Sequence, residues 1–516
     1  MENMKDLDMK KGPGAMPVIP PVELNFDIKN TEADIVVVGG GAAGLAAGAK
    51  AAEMGAKVIV LESNAVPGGS AMMAGGIWAA ASPVQEREGI NIPKDRSILI
   101  ANQHSHHRAD PYIVKAYVEG SAQMIEWLEG QGMHFIPFKD ESESFGGFPA
   151  GGFHLPIGAG VGLTRHMTGV CVKNGGQVWP KCRAKDLVMA DGKISGVAFE
   201  HEGVDYTIKT KKVILSGGGF GGNKDICRER CLDFKDNMTC YGMQTEGIGL
   251  HMAKETAADI EKNSALLLVG PTQPKSISIK IDTGAPKPAV MQFSTLLTEP
   301  NTVWVNKRGK RFCNEFIGAN HFESANAVVV QPDNEMWAVF DASTIEYWEN
   351  EGFFVGFGAP LMVNGKKLPG LEKAIMANED KGIIKKANSL EELAALMGVP
   401  WTALQKTIAD YNECCSSKKD IYLGKAEKYL FPIENGPFYA AKGRTDFLNT
   451  FGGIRINEKM QVVDANENPV EGLYAAGADA SGWVVSFYNG YIPGNAFGFS
   501  VFSGMTAGKE AATGCK

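Results

Sequence analysis

The sequence predicts an α/β fold with two domains, one of them built on a parallel sheet with glycine-rich turns. The chain has 516 residues, which is more than one hydrophobic core usually organises. Residues 35–38 are a short β-branched run, typical of a strand buried in a parallel sheet. This run leads into glycines and then an alanine-rich stretch to about Met54, which predicts a tight turn and a helix.

The glycines after the first strand follow the spacing G-x-G-x-x-G. They are Gly39, Gly41 and Gly44, and a second strand over residues 57–61 ends at Glu62. The three glycines allow a tight turn, the approach of a pyrophosphate and close helix packing, while the helix N-terminus attracts phosphates. An acid about twenty residues later can bind ribose hydroxyls. Together these features predict a Rossmann-like dinucleotide-binding domain.

Three further glycine-rich segments extend the predicted cofactor site. Residues 63–82 contain four glycines, which make the backbone flexible, and apolar side chains such as Trp78. This combination suits contact with a flat ring system. Residues 211–223 and 470–482 each predict a strand that ends in glycines. The cofactor is therefore expected to contact several separate parts of the chain.

These segments resemble the FAD-dependent oxidoreductases of the fumarate reductase, urocanate reductase and 3-ketosteroid dehydrogenase type. The resemblance covers Ala33 to the C-terminus and rests on "GGSAMMAGG", "NTVWVNKRGKRFCNE", "GLYAAGA" and "GNAFG". It implies an enzyme that acts on CH–CH bonds with FAD. The cofactor-binding residues that it implies are Gly39, Gly41, Ala43, Gly44, Glu62 and Ser63 at the ADP half, Ala184 near the adenine, Gly68, Gly69, Ser70, Gly75 and Gly76 beside the flavin ring, Gly217 in the third segment, and Asp479, Asn495 and Ala496 at the ribityl and pyrimidine end.

The resemblance also implies a discontinuous Rossmann-like FAD-binding domain with an inserted α+β capping domain. We expect an N-terminal tail over residues 1–30, FAD-binding segments over 31–263 and 448–516, and a cap over 264–447 that closes over the flavin and the substrate. Clefts of this kind are where ligand sites concentrate.

The second glycine-rich loop bears on how the flavin is held and reduced. Some relatives tether the flavin to a His beside this loop, whereas Ser70, Ala71 and Met72 occupy it here, so we expect non-covalent FAD. No second strand–glycine–helix unit for a nicotinamide is evident in the sequence. An external electron donor, either a reduced protein or a free reduced flavin, is therefore expected.

The positions that clamp a dicarboxylate in fumarate reductases carry other residues here. A clamping His corresponds to Gly270, a later His to Asn449 and the last Arg to Tyr491, and residues 314–324 lack the catalytic Arg. Arg is used there because it pairs with a carboxylate through two hydrogen bonds. The sequence therefore predicts that this protein is not a fumarate reductase.

The residues that replace the expected cations are aromatic or small. Together with the aromatic residues elsewhere in the chain, they predict a bulky, cyclic, apolar substrate such as a steroid, an isoflavonoid or another polyphenol. The predicted reaction is reduction of a C=C bond by hydride transfer from flavin N5 and proton donation. Tyr491 and His321 are the alternative catalytic groups, although Pro493 stands where some steroid dehydrogenases have a base. The predicted pocket residues are Phe148, Phe353, Trp483, Phe487, Tyr488 and Tyr491.

Two other functions remain open from the sequence. One is a 3-ketosteroid-type dehydrogenase that works in the oxidative direction, and the other is a flavin-binding redox carrier subunit without its own substrate. The aromatic residues argue against the carrier, because it would need no apolar pocket.

Composition excludes several classes of partner. The net charge of −8 disfavours a nucleic acid or an anionic membrane surface. Nine cysteines in a chain of this length form no disulfide framework, and neither they nor the run His104, His106 and His107 has metal-site spacing. No signal segment and no apolar run of about 18 residues is evident, so we expect a cytoplasmic protein.

Overall fold

The computed structural model describes residues 18–28, 31–137, 150–273, 277–281, 289–356, 365, 367–488 and 490–515. Phe148, one of the predicted pocket residues, lies outside this set. The chain divides into two compact units. The first unit takes the chain up to Phe234, Cys240–Leu267 and the chain from Leu448 onward, and the second takes Lys235–Thr239 and Leu268–Phe447.

The strands are numbered in chain order. They are β1 (Ile35–Val38), β2 (Val58–Leu61), β3 (Ile77–Trp78), β4 (Phe135–Pro137), β5 (Phe153–Pro156), β6 (Gln177–Trp179), β7 (Cys182–Ala190), β8 (Lys193–His201), β9 (Val204–Lys209), β10 (Val213–Leu215), β11 (Ala265–Thr272), β12 (Ser278–Ile281), β13 (Ala289–Gln292), β14 (Val303–Val305), β15 (Glu335–Asp341), β16 (Ile384–Ala387), β17 (Phe438–Phe451), β18 (Gln461–Val463) and β19 (Pro469–Ala475).

The α-helices are numbered in the same way. They are α1 (Ala42–Glu53), α2 (Pro83–Glu88), α3 (Lys94–His104), α4 (Pro111–Gly130), α5 (Ala159–Lys173), α6 (Lys224–Arg230), α7 (Ile248–Lys254), α8 (His321–Val329), α9 (Ala342–Asn350), α10 (Leu371–Met376), α11 (Leu390–Met397), α12 (Trp401–Ser416) and α13 (Asn495–Ala512).

The first unit is organised by a sheet with the strand order β18-β19-β10-β1-β2-β6. Strand β1 pairs in parallel with β2 and β10, and β10 pairs in parallel with β19. All four residues of β1 and all four of β2 are buried, which accounts for their continuous Val, Ile and Leu sequence. The predicted α/β fold with a parallel sheet is confirmed, and a strand from late in the chain completes it.

Helices α1 and α13 pack closely through small residues. A Cβ atom on Gly504 would overlap the main chain of Ala43, and one on Gly508 would overlap the main chain of Ala47. The two backbones therefore approach more closely than larger side chains would permit. This contact holds the N-terminus of α13 in a fixed position relative to the first glycine-rich turn.

The second unit contains a sheet with the order β11-β17-β15-β14, to which β16 adds on β17. The mid-chain motif over residues 301–315 supplies a buried ion-pair network beside this sheet. Arg311 Nε lies 2.7 Å from Glu315 Oε1, Arg311 Nη2 lies 2.8 Å from Asp420, and Lys425 Nζ lies 2.8 Å from Glu315 Oε2. Because all four side chains are buried and paired, the charged residues of this motif have a structural role.

Among the described residues, no helix combines the length and the apolar character that crossing a bilayer requires.

Candidate flavin site

The first unit contains a cavity of about 950 Å³ beside the parallel sheet. This volume falls in the range of cofactor sites in proteins. The predicted residues that line the cavity are Gly39, Gly41, Ala43, Glu62, Ser63, Gly69, Ser70, Ala184 and Gly217. Residues that the sequence did not indicate also contribute, and they come mainly from the segment around Thr245 and Ile248.

The three glycines of the first turn differ in what surrounds them. Gly39 has φ of +99°, and a Cβ atom there would overlap the carbonyl of Ser216. A Cβ atom on Gly44 would overlap the main chain of Gly39, so this position must be Gly for the helix to pack. A Cβ atom on Gly41 would meet no protein atom within 4 Å, because it faces the cavity. This open position allows a phosphate to approach the backbone, as FAD requires.

Glu62 is held in a defined position at the end of β2. Its Oε2 accepts a hydrogen bond from the Gly40 N–H at 3.0 Å, and its Oε1 accepts one from the Asn64 N–H at 2.7 Å. The side chain is buried yet borders the cavity. Each carboxylate oxygen can accept more than one hydrogen bond, so Glu62 can also bind ribose hydroxyls.

Asp479 follows β19 and joins it to the turn after β10. Its Oδ2 accepts from the Gly217 N–H at 2.6 Å and its Oδ1 from the Gly219 N–H at 2.7 Å. Burial raises the pKa of Asp479 to about 6, although both N–H groups favour the ionised form. The carboxylate of Asp479 thus stabilises the turn after β10 through two hydrogen bonds. Its expected contact with the cofactor stays a prediction.

The second glycine-rich loop folds as a 3₁₀ turn over Gly69–Met73. Ser70 Oγ accepts a hydrogen bond from the Met243 N–H at 3.0 Å, which connects this loop to the segment that lines the cavity. Gly68, with φ of +139°, provides the preceding bend. Gly75 and Gly76 leave room for the Phe153 ring, since a Cβ atom on either would come within 3.2 Å of it.

The side chain of Asn495 is used inside the loop that precedes α13. Its Oδ1 accepts from Trp483 Nε1 at 2.8 Å, and its Nδ2 donates to the Tyr488 hydroxyl at 3.0 Å and to the Ile492 carbonyl at 2.6 Å. The main chain of Ala496 also meets the Tyr488 hydroxyl. The amide that was expected to hold the flavin thus organises the loop over residues 483–492, which we call the tyrosine loop.

The predicted aromatic pocket residues separate into two groups. Phe353 is 2% exposed and packs against Trp348 in the core of the second unit. Trp483 and Tyr488 are likewise buried, and Trp483 makes an edge contact with Tyr117 in the first unit. These three residues pack in the protein core, and their place in a substrate pocket stays a prediction.

The remaining two predicted pocket residues, Phe487 and Tyr491, are half-buried. Tyr491 stacks on His104 with ring centroids 3.9 Å apart and an interplanar angle of 20°, and Phe487 contacts His106 at 5.2 Å. The sequence drew attention to these histidines only as a possible metal cluster. Their contact with the tyrosine loop has no local sequence signal, because the partners lie almost 390 residues apart.

His321 is the first residue of α8 in the second unit. Its Nδ1 lies 3.3 Å from the Gly270 carbonyl, which can only accept, so Nδ1 carries the proton. Burial lowers the pKa of His321 to about 4. The ring is therefore neutral at pH 7, where it is a poor general acid, and the catalytic role of His321 stays a prediction.

A parallel sheet, a glycine turn open to a large cavity and an acid at the end of the second strand define a dinucleotide-dependent oxidoreductase. The chain matches the family described as FAD binding domain over residues 34–496 and belongs to that family. The protein is an FAD-dependent oxidoreductase, and the resemblance inferred from the sequence is confirmed.

Known relatives cover almost the whole chain. Vinyl phenol reductase of Lactiplantibacillus plantarum is 30% identical over 496 residues, which cover 94% of this chain and 97% of the relative. Fumarate reductase (cytochrome) of Shewanella frigidimarina is 27% identical over 489 residues, 93% of this chain and 77% of the relative. The crystal structure of 3-ketosteroid-Δ4-(5α)-dehydrogenase from Rhodococcus jostii RHA1 has the same fold, with a TM-score of 0.72, 24% identity and coverage of 95% and 98%.

Replacement of Glu62 by Ala should weaken FAD binding about 10- to 100-fold, because hydrogen bonds from ribose to a charged group are lost. The dissociation constant can be measured by titrating the flavin-free protein with FAD and following flavin fluorescence. Glu53→Ala, on the exposed side of α1, is the control and should leave it unchanged. Equal affinity of the Glu62 variant and the wild type would show that Glu62 does not bind the ribose.

The raised pKa of Asp479 predicts a pH dependence of stability in the flavin-free protein. The folded state keeps its proton up to about pH 6, whereas an ordinary Asp loses it near 3.8. The free energy of unfolding should therefore fall by about 3 kcal/mol as pH rises through this window. Urea unfolding of the wild type and of Asp479→Asn, which cannot titrate, isolates the effect. A difference between the two proteins that is constant from pH 4 to 7 would contradict it.

Proposed function

We propose that the protein reduces a C=C bond conjugated to a ring in an uncharged cyclic substrate, with a phenol that carries an alkene side chain as the first candidate. Steroid enones and isoflavonoids are further candidates, because they too are uncharged ring compounds with a reducible C=C bond. The observation that carries the proposal is the tyrosine loop, which presents a half-buried phenol at the position where the fumarate reductases have an Arg. The full-length similarity to a vinyl phenol reductase supports the direction and the substrate class.

In this proposal bound FAD, once reduced by the external donor, would supply the hydride for one carbon of the double bond. The Tyr491 hydroxyl donates a proton to the other carbon and regains one from solvent, or it binds a substrate oxygen while water supplies that proton, so that the C=C bond becomes CH–CH. The Tyr491 ring stacks on the His104 ring, with the ring centroids 3.9 Å apart. A phenol that is placed before the substrate arrives costs no reorganisation during the reaction.

The distribution of charged residues around the tyrosine loop and on β17 argues against a dicarboxylate substrate. Residues 482–492 include no Lys or Arg. On β17, Arg444 Nη2 lies 3.0 Å from Asp446 Oδ1, and Thr272 donates to the other oxygen of Asp446 at 2.7 Å. The charge of this Arg is thus already balanced by a buried acid. Arg108, which donates to Ser486 of the tyrosine loop, is a single cation and would offset only part of the large desolvation cost of a dianion.

The proposal includes an external electron donor, either a reduced protein or a free reduced flavin. The first unit contains a glycine-turn cavity of dinucleotide size, which suits FAD. In this proposal a separate molecule delivers the two electrons consumed in each turnover.

The substrate class can be tested by anaerobic reoxidation of the dithionite-reduced holoenzyme. We expect 4-vinylphenol, an enone steroid or an isoflavonoid to reoxidise the flavin at least 100-fold faster than fumarate or urocanate. Cinnamate, which joins a ring to one carboxylate, tests whether the exposed Arg108 admits an anion. Rapid reoxidation by fumarate would overturn the proposal, and so would the failure of all the cyclic alkenes.

Tyr491→Phe keeps the ring and removes only the hydroxyl. Loss of one preorganised donor should lower turnover about 100- to 1000-fold, while FAD content stays unchanged. His321→Gln is the comparison, and we expect a change below about tenfold because the buried imidazole is neutral. The assay uses a saturating reduced donor, so that flavin reduction does not limit the rate. Full activity of Tyr491→Phe together with an inactive His321→Gln would move the proton donor to the second unit.

A further inference from the structure

Two loops of the first unit that are far apart in sequence meet face to face. One is the turn between α3 and α4, residues 104–110, and the other is the tyrosine loop. The Asp110 N–H donates to the Gly482 carbonyl at 2.8 Å, just before the tyrosine loop, and Arg108 Nη1 donates to Ser486 Oγ at 2.9 Å. Main-chain and side-chain bonds therefore fix the two loops against each other.

Both loops have unusual backbone conformations where they meet. His106 has φ of 53°, His107 of 56° and Ser486 of 55°, all in the left-handed region that residues other than Gly seldom adopt. Each such conformation is strained and persists only when its surroundings hold it in place. Conformations of this kind concentrate at functional sites.

The tyrosine loop is also held from within. The three hydrogen bonds of the Asn495 amide fix Trp483, Tyr488 and Ile492, which lie on both sides of Phe487 and close to Tyr491. These bonds hold Trp483, Tyr488 and Ile492, whereas the rotation of the Tyr491 ring depends on its own neighbours. One of these neighbours is the His104 ring, stacked at 3.9 Å.

The His104 ring is suited to stacking rather than to proton transfer. It closes the C-terminal end of α3 and is half-buried. Burial, and then the neighbouring His106, lower the pKa of His104, so its ring is neutral at pH 7. A nearly parallel face-to-face contact favours one orientation of the neighbouring phenol ring.

We propose that His104 is a positioning residue that holds the Tyr491 ring by stacking, so that the phenol hydroxyl meets the substrate in one orientation. This inference rests on the proposed role of Tyr491. A small displacement of a catalytic group can lower the rate as much as 100-fold without affecting binding. Loss of the stack should therefore reduce kcat and leave KM nearly unchanged.

The test compares His104→Ala, which removes the ring, with His104→Phe, which keeps an aromatic face. With the cyclic alkene that the wild type reduces fastest, we expect kcat to fall about 10- to 100-fold for the Ala variant. The Phe variant should stay within about threefold of the wild type, and KM should change less than threefold in both. His107→Asn, at an exposed left-handed position that Asn tolerates, is the control and should be fully active.

A readout that does not depend on activity accompanies the kinetics. In the holoenzyme labelled with fluorotyrosine, the ¹⁹F resonance that disappears in Tyr491→Phe belongs to Tyr491. This resonance should shift in His104→Ala, because the ring current of the imidazole is lost. An unshifted resonance would contradict the stacked pair itself.

The outcomes separate this inference from the proposed function. A wild type that reduces none of the cyclic alkenes refutes the proposed function, and the inference with it. An active wild type with an equally active His104→Ala refutes the inference alone, as does a His104→Phe that is as slow as the Ala variant. In the double variant with Tyr491→Phe, the His104 substitution should add almost no further loss, since both residues act through one hydroxyl.

Discussion

The close packing of α1 against α13 is the contact on which the first unit depends. Gly504 and Gly508 let α13 approach the backbone of Ala43 and Ala47, in the helix that follows the first glycine turn. Helix α13 begins at Asn495 and lines the flavin cavity through Ser500. Asn495 in turn bonds to Trp483, Tyr488 and Ile492 of the tyrosine loop. A change of helix separation would thus displace the cavity lining and the tyrosine loop together.

The elements that the sequence predicted well are those whose signals are local. The strand before Gly39, the helix after it and the strand ending at Glu62 each follow from a continuous pattern of residue types, and the structure contains all three. The parallel arrangement follows as well, because fully apolar strands require cover on both faces. The family resemblance then supplied the late segments, whose pairing with β10 no local pattern indicates.

The parts that the sequence did not predict depend on long-range contacts. The sequence shows that Trp483, Tyr488 and Phe353 are aromatic. Whether such a side chain packs in the core or lines a pocket depends on packing partners elsewhere in the chain. The same holds for Asp479, whose acid serves two backbone N–H groups about 260 residues away in sequence. The type of a residue limits which interactions its side chain can make. Tertiary contacts then determine which of these interactions it makes in the folded protein.

The strand order of the first sheet has a consequence during protein synthesis. Strand β10 has β1 on one side and β19 on the other, and about 250 residues separate the end of β10 from the start of β19. At roughly 5–20 residues per second, the apolar β10 edge stays unpaired for about 10 to 50 seconds while the ribosome makes the second unit. An unpaired strand edge is a template for aggregation. The nascent chain is therefore most prone to aggregation before β19 is synthesised. Expression of the protein should depend on chaperones that bind during that interval.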